Sequence, residues 1–180
     1  FNLNYYGDCP MSTLSVDTIQ GKTTTGTVAM PAGMVIQTLE NSDYTRTTST
    51  STTFADTGLS QAITPKFSTS KILVIVKHLF ESYGSINSRA KVKLVRDSTD
   101  VCHLESLVAY AYNSDVSNFA STYGTGNCVG FVLDSPNTTS QITYKTQFGV
   151  GHDGTVAVNG DDSSSYERSR GSIVLMEIKQ

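Results

Sequence analysis

The chain has 180 residues, of which 16% are charged, and its formal net charge is -3. This length suits one domain with an appendage, and it is sufficient to bury a core without metals or disulfides. The weak charge excludes the basic footprint of a nucleic-acid-binding protein and a polybasic membrane anchor, and no membrane-inserting segment is predicted. Ser, Thr, Gly and Asn fill the polar positions, which favours strands and turns over helices.

Residues 1–32 are predicted to form an extended N-terminal arm that precedes a head domain over residues 33–180. Gly21, Gly26 and the threonines between them exclude a stable helix. The apolar content of the arm is too thin for a core of its own and too regular for a flexible linker. We expect the arm to gain order against copies of itself or another protein, with a disordered tail as the alternative. Its predicted assembly residues are Leu14, Val16, Ile19, Val28 and Met30.

Two strands are predicted before the centre of the head domain, over Met34–Glu40 and Leu59–Thr64, and Thr45–Thr53 is interpreted as an edge strand or a loop. The strongest signal follows in Lys71–Lys77, where five aliphatic residues lie between two lysines. Most of them are β-branched and therefore favour extended backbone. Such a run indicates a strand that is covered on both faces, or one whose outer face meets another subunit. We predict it, extended to Glu81, as the central strand.

The second half of the chain continues the strand-like pattern. Ala90–Arg96 alternates, with Ala90, Val92 and Leu94 predicted to face inward. Val101–Tyr112 is interpreted as a strand with helix as the competing assignment, and residues 113–127 as a long surface loop. Further strands are predicted over Cys128–Leu133, Ile142–Phe148, Thr155–Val158 and Gly171–Ile178, with Asn159-Gly160 as a hairpin turn. About nine strands and almost no helix predict an all-β antiparallel sandwich of the jelly-roll type.

The candidate catalytic groups do not form a convincing site. Cys102 and His103 are adjacent, but neighbouring residues on a strand point to opposite faces, so a thiol–imidazole pair is not expected. His78 beside the central run is expected to be a structural histidine. The carboxylates near His152 lack the spacing of a calcium loop. We therefore predict no enzyme, no cofactor and no metal site, and the sequence leaves open whether Cys102 pairs with Cys128.

Recognition is the remaining class of function, because aromatic rings in turn-rich segments offer flat faces to sugars or proteins. The alternative is that these rings straddle the core and the surface with the hydroxyl outward. The predicted ligand-binding residues are Tyr112, Phe119, Tyr123 and Tyr166.

Several stretches carry a family resemblance. Residues 12–39, Thr57-Gly-Leu-Ser-Gln-Ala-Ile-Thr-Pro65, residues 69–74, Leu133-Asp-Ser-Pro136, Ile142-Thr-Tyr-Lys145 and Ile173-Val-Leu-Met-Glu-Ile178 together resemble fibre-like structural proteins from tailed phages of marine bacteria. The resemblance implies a component of the virion surface, either a short tail fibre or a head decoration protein. It implies a homotrimer assembled through its arm, which contacts other virion proteins. Its head would resemble the jelly rolls of the tumour-necrosis-factor and C1q type and adhere to a host-surface glycan. A free lectin-like carbohydrate-binding module is the alternative.

Overall fold

The computed structural model describes residues 31–84, 88–108, 123–159 and 169–180, and these ranges contain ten strands and no helix. The strands are β1 (Val35–Asp43), β2 (Thr47–Ser49), β3 (Ala55–Ile63), β4 (Lys71–Tyr83), β5 (Ala90–Arg96), β6 (Thr99–Val108), β7 (Tyr123–Asp134), β8 (Ile142–Val150), β9 (Thr155–Val158) and β10 (Gly171–Ile178). The prediction of an all-β chain is confirmed for this part of the molecule.

The strands form two antiparallel sheets that pack as a sandwich. The six-stranded sheet has the order β1-β10-β4-β9-β2, with β7 on the other side of β4, and the four-stranded sheet has the order β3-β8-β5-β6. β4 pairs with β10 over Lys71–Lys77, with β9 over Phe80–Tyr83, and with β7 along nearly its whole length. The predicted central position of the apolar run is therefore confirmed.

The core lies between the inner faces of the two sheets. In β4 the alternate residues Ile72, Val74 and Val76 are buried, and Phe80 continues the same face. Ala90, Val92 and Leu94 of β5 are buried opposite them, as their alternation with polar residues predicts. Each Val, Leu, Ile or Phe side chain that is fully buried contributes roughly 1.5–3 kcal/mol, so these facing rows provide most of the cohesion between the sheets.

Two of the secondary-structure assignments considered for the second half of the chain are wrong. β7 begins at Tyr123, so the predicted loop is a strand over residues 123–127. Gly124 and Gly126 indicate a turn locally, but pairing with Ser82 and Phe80 of β4 overrides that preference. The helical alternative for the stretch after Val101 is also wrong as far as Val108, where β6 ends.

The predicted hairpin turn Asn159-Gly160 lies only partly within the described residues, which include Asn159 but not residues 160–168, so it stays a prediction. β9 pairs with β2 and β4, and it does not pair with β10. Asn159 does adopt the left-handed backbone that the asparagine–glycine pair suggests, with φ of 67°, but its side chain is buried. Hydrogen bonds to distant residues hold the Asn159 side chain, so its left-handed backbone does not by itself identify a hairpin.

Candidate assembly surface

The predicted functional residues fall almost entirely outside the described part of the chain. Tyr112, Phe119 and Tyr166 lie there, and Tyr123 begins β7 without a described side chain. The five arm residues, Leu14, Val16, Ile19, Val28 and Met30, also lie outside the described residues. These predictions therefore stay predictions, and the functional surface has to be sought in the sandwich itself.

An apolar surface lies on the outer side of the six-stranded sheet. Side chains alternate between the two faces of a strand, so the residues between the buried positions of β4 point away from the core. Leu73 and Ile75 occupy such positions and are partly buried. On β7 the residues with the same orientation are far more exposed: Val129 at 48%, Phe131 at 69% and Leu133 at 52%.

The strand register brings these side chains together in rows across three strands. Met176, Leu73 and Leu133 form one row. Val174, Ile75 and Phe131 form the next, and Val129 extends the surface opposite Lys77. We call this surface the apolar face and define it by Leu73, Ile75, Val129, Phe131, Leu133, Val174 and Met176.

The size of the apolar face is that of a functional patch. Three strands about 4.8 Å apart and rows about 6.8 Å apart give a footprint on the order of 300 Å². A patch of this size lies at the lower end of the range for the largest apolar patch of a typical monomer, and such patches are often functional. A standard protein interface buries about 800 Å² per partner, so the apolar face would form the core of an interface and needs a surrounding rim.

Charged groups are confined to the edge of the apolar face. Glu40 of β1 lies opposite Val174 of β10. It forms an exposed ion pair with Arg170, with an Oε1–Nη2 distance of 2.7 Å. Lys77 is exposed at the end where Val129 lies. An uncharged centre with a charged border is typical of surfaces that close against another protein.

Strand β7 also presents an open edge. It pairs only with β4, so within the described residues its other side has no strand partner. Natural edge strands are usually blunted by lysines, prolines or a covering segment. The sequence of β7 contains no lysine or proline, and its only charged residue is Asp134 at the end. The exposed apolar residues and the open edge therefore coincide on one strand.

The interior of the sandwich contains a chain of polar side chains centred on His78. Its Nε2 atom lies 2.9 Å from the Thr146 hydroxyl, which is 2.6 Å from the Thr57 hydroxyl. Its Nδ1 atom lies 3.3 Å from Oδ1 of Asn159, whose amide group donates to Asp43 and to a backbone carbonyl. Desolvation of the buried ring lowers the pKa of His78 to about 4, against opposing effects of Asn159 and Asp43. His78 is thus a hydrogen-bonded core residue, as predicted, and does not contact solvent.

Cys102 and Cys128 do not form a disulfide with each other. Burial raises the pKa of the Cys102 thiol, which reduces its reactivity. Cys102 packs against the core, whereas His103 is exposed and its ring lies 5.8 Å from that of Phe54 in a tilted arrangement. The two adjacent residues diverge, as strand geometry predicts.

The described ranges hold no group of three or more His, Cys, Asp or Glu side chains placed to bind a metal ion. Across the same residues, no helix has the length and hydrophobicity needed to cross a bilayer.

These features define the class of protein: an antiparallel two-sheet β-sandwich with an exposed apolar sheet face. Comparison with family models finds no match for the chain, and comparison with curated proteins finds none.

The sequence identified the strand of Val129, Phe131 and Leu133 but not its role. The signal was present, because the central run indicated a strand whose outer face meets another subunit. Extending that argument to β7 requires its position beside β4, which depends on the topology of the sheet.

Proposed function

We propose that this protein is a non-enzymatic structural protein that assembles with copies of itself as a homotrimer, with the apolar face at the contact between subunits. The observation that supports this most directly is on β7, where Phe131 is 69% exposed beside Val129 and Leu133 and where no other described strand pairs with the outer edge. An exposed apolar edge strand promotes uncontrolled association. Burial of these side chains against a sister subunit removes the apolar exposure and limits access to the edge beside it.

The energetics favour an interface that combines the apolar face with further contacts. Full burial of an aliphatic or aromatic side chain contributes roughly 1.5–3 kcal/mol, and the apolar face is already about half covered. Its seven side chains would then add on the order of 5–10 kcal/mol per subunit. Association costs roughly 4–15 kcal/mol, so the apolar face alone gives a marginal complex. The predicted arm over residues 1–32, with its regularly spaced apolar residues, is our candidate for the remaining contacts.

The strand order supports a jelly roll as the more specific fold of the head. Four strands of one sheet lie in the order β1-β10-β4-β7, and the other sheet has the order β3-β8-β5-β6. The chain crosses between the two sheets several times, and its first and last described strands are neighbours. An arrangement of two four-stranded antiparallel sheets is that of jelly rolls, among them the tumour-necrosis-factor and C1q type. The fold analogy alone assigns no function.

The sequence resemblance supports placing this trimer on the surface of a phage particle, as a short tail fibre or a head decoration protein. In this proposal the arm contacts other virion proteins and the head points outward. A durable particle component needs a rigid head, which the two packed sheets provide.

The test of self-assembly is the mass of the full-length protein by sedimentation velocity and light scattering at several concentrations. We expect a trimer for the natural sequence. Phe131→Glu should shift the mass toward the monomer, because it places a charge in an apolar contact. Tyr44→Glu is the matched control, since Tyr44 is 54% exposed and lies outside the apolar face; it should stay trimeric.

A monomer at all concentrations, or an unchanged mass for Phe131→Glu, would overturn assembly through the apolar face. The virion location is tested separately by imaging purified particles labelled with an antibody to the head. Absence of label, together with a soluble protein that binds glycans, would favour the free lectin-like module instead.

A further inference from the structure

We infer that the outer face of the four-stranded sheet carries a binding site for an acidic glycan, built from Phe54, Lys91, Lys93 and His103, which we call the lysine–phenylalanine cluster. The Nζ atoms of Lys91 and Lys93 lie 4.6 and 4.7 Å from the centre of the Phe54 ring. The His103 ring contacts the same phenylalanine at 5.8 Å with a tilt of 58°. Three groups that can bind a negative charge or donate a hydrogen bond therefore converge on one aromatic ring.

The backbone holds the lysine–phenylalanine cluster in place. Lys91 and Lys93 are two residues apart on β5 and project from the same face, and His103 pairs with Lys93 from β6. Gly149 is the partner of Lys91 on β8. A Cβ atom there would lie 3.1 Å from both Cε of Lys91 and the carbonyl oxygen of Thr53. The missing side chain lets Lys91 lie across the sheet and lets the segment that carries Phe54 approach it.

The charges of the described side chains around Phe54 favour an anion. Lys93 forms an ion pair with Asp100 at 2.7 Å, and its side chain is only 13% exposed. Lys91 forms no ion pair with any of the side chains that the structure describes. Among the described side chains, two ammonium groups share one ring, and only the carboxylate of Asp100 forms an ion pair with either of them. A bound anion would lower their mutual repulsion, and partial burial strengthens such an interaction relative to one in water.

The chemistry of the lysine–phenylalanine cluster favours a sugar acid among possible anions. A sugar acid offers a carboxylate to the ammonium groups, C–H surface to the edge of Phe54, and hydroxyls to the exposed His103. A nucleic acid or an anionic membrane would need a broad basic surface, whereas this chain has a net charge of -3. The site therefore suits a short stretch of an acidic polysaccharide.

The lysine–phenylalanine cluster and the apolar face lie on different sheets, on opposite outer sides of the sandwich. Assembly through the apolar face therefore leaves the cluster accessible. The inferred binding does not depend on assembly, because a monomer would carry the same residues. Only its interpretation as adhesion to a host surface rests on the proposed function.

The experiment is a calorimetric titration of the full-length protein with trigalacturonic acid, compared with its fully methyl-esterified form and with inorganic sulfate at equal ionic strength. We expect saturable binding of the acid, and at least about tenfold weaker binding of the ester and of sulfate. Lys91→Met should weaken the binding of the acid by about tenfold or more. Lys145→Met is the matched control, because Lys145 lies on the same face but pairs with Asp56; its binding should change less than about twofold.

Three results would overturn the inference: no saturable binding by the natural sequence, equal binding of acid and ester, or equal losses in Lys91→Met and Lys145→Met. Equal binding of sulfate would indicate a simple anion site and would likewise reject the glycan assignment. Sedimentation of both variants should give the mass of the natural protein. A failure of glycan binding is thereby distinguished from a failure of assembly.

Discussion

Acid should destabilise this fold through one residue, His78. The imidazole is completely buried and bonds through one nitrogen to Thr146 and through the other to Asn159. A neutral ring satisfies both contacts, because Nδ1–H donates to the Asn159 carbonyl oxygen and Nε2 accepts from the threonine hydroxyl. Protonation puts a positive charge in the core and removes the acceptor, and the pKa in the folded protein is accordingly lowered to about 4.

The magnitude follows from the difference between the pKa of about 4 in the folded protein and the ordinary value of 6.5. The unfolded chain binds the proton more tightly, so the free energy of unfolding is unaffected by this group above pH 6.5. It falls as the pH drops from 6.5 to 4 and no further below that. The full loss is about 3 kcal/mol, and most of it should occur between pH 7.5 and 4.5.

The assay is urea unfolding at pH 7.5, 6.5, 5.5 and 4.5, at one protomer concentration, for the natural sequence and His78→Gln. Glutamine keeps a donor and an acceptor but does not titrate, so the variant should lack most of this pH dependence. NMR of the folded protein follows the His78 ring directly. Parallel pH profiles of the two proteins, or a His78 signal that titrates near 6.5, would refute the reasoning.

Two further substitutions test the packing of the polar interior. Gly171→Ala should destabilise the fold by about 1–3 kcal/mol in urea unfolding, because its Cβ would lie 2.8 Å from Nδ1 of His78. Tyr144→Phe should cost about 1.5–3 kcal/mol, because the buried ring loses the hydrogen bond from its hydroxyl to Asp134 at 2.6 Å. The matched controls are Ser172→Ala beside the glycine and Tyr44→Phe at an exposed tyrosine, each expected within about 0.5 kcal/mol. If the control variants lose as much free energy of unfolding as Gly171→Ala and Tyr144→Phe, both predictions are contradicted.

The sandwich itself was predictable because its main signals are local. Lys71–Lys77 indicates a central strand by composition, and Ala90–Arg96 indicates a half-buried strand by alternation, and the structure confirms both. The start of β7 was missed because glycines at 124 and 126 weaken a strand locally, whereas pairing with β4 compensates for them.

The candidate site was less predictable because it depends on distant contacts. Val129, Phe131 and Leu133 form an apolar surface only because β7 lies beside the outward residues of β4. His78 and Asn159 are 81 positions apart in the sequence, so no local pattern joins them. Likewise, Phe54 meets Lys91 and Lys93 only after β3 and β5 have joined one sheet through β8.

The single histidine in the inward row of β4 has a consequence for strand alignment. An alternating apolar strand can shift its register by two residues against its neighbours and still keep its apolar face inward. In such a slipped arrangement His78 would stand where Val76 or Phe80 now lies, away from Thr146 and Asn159. The cost of an orphaned imidazole in the core would penalise every misaligned version of the sheet. The hydrogen bonds of His78 therefore favour the observed register of β4, which the apolar inward residues alone would specify less strongly.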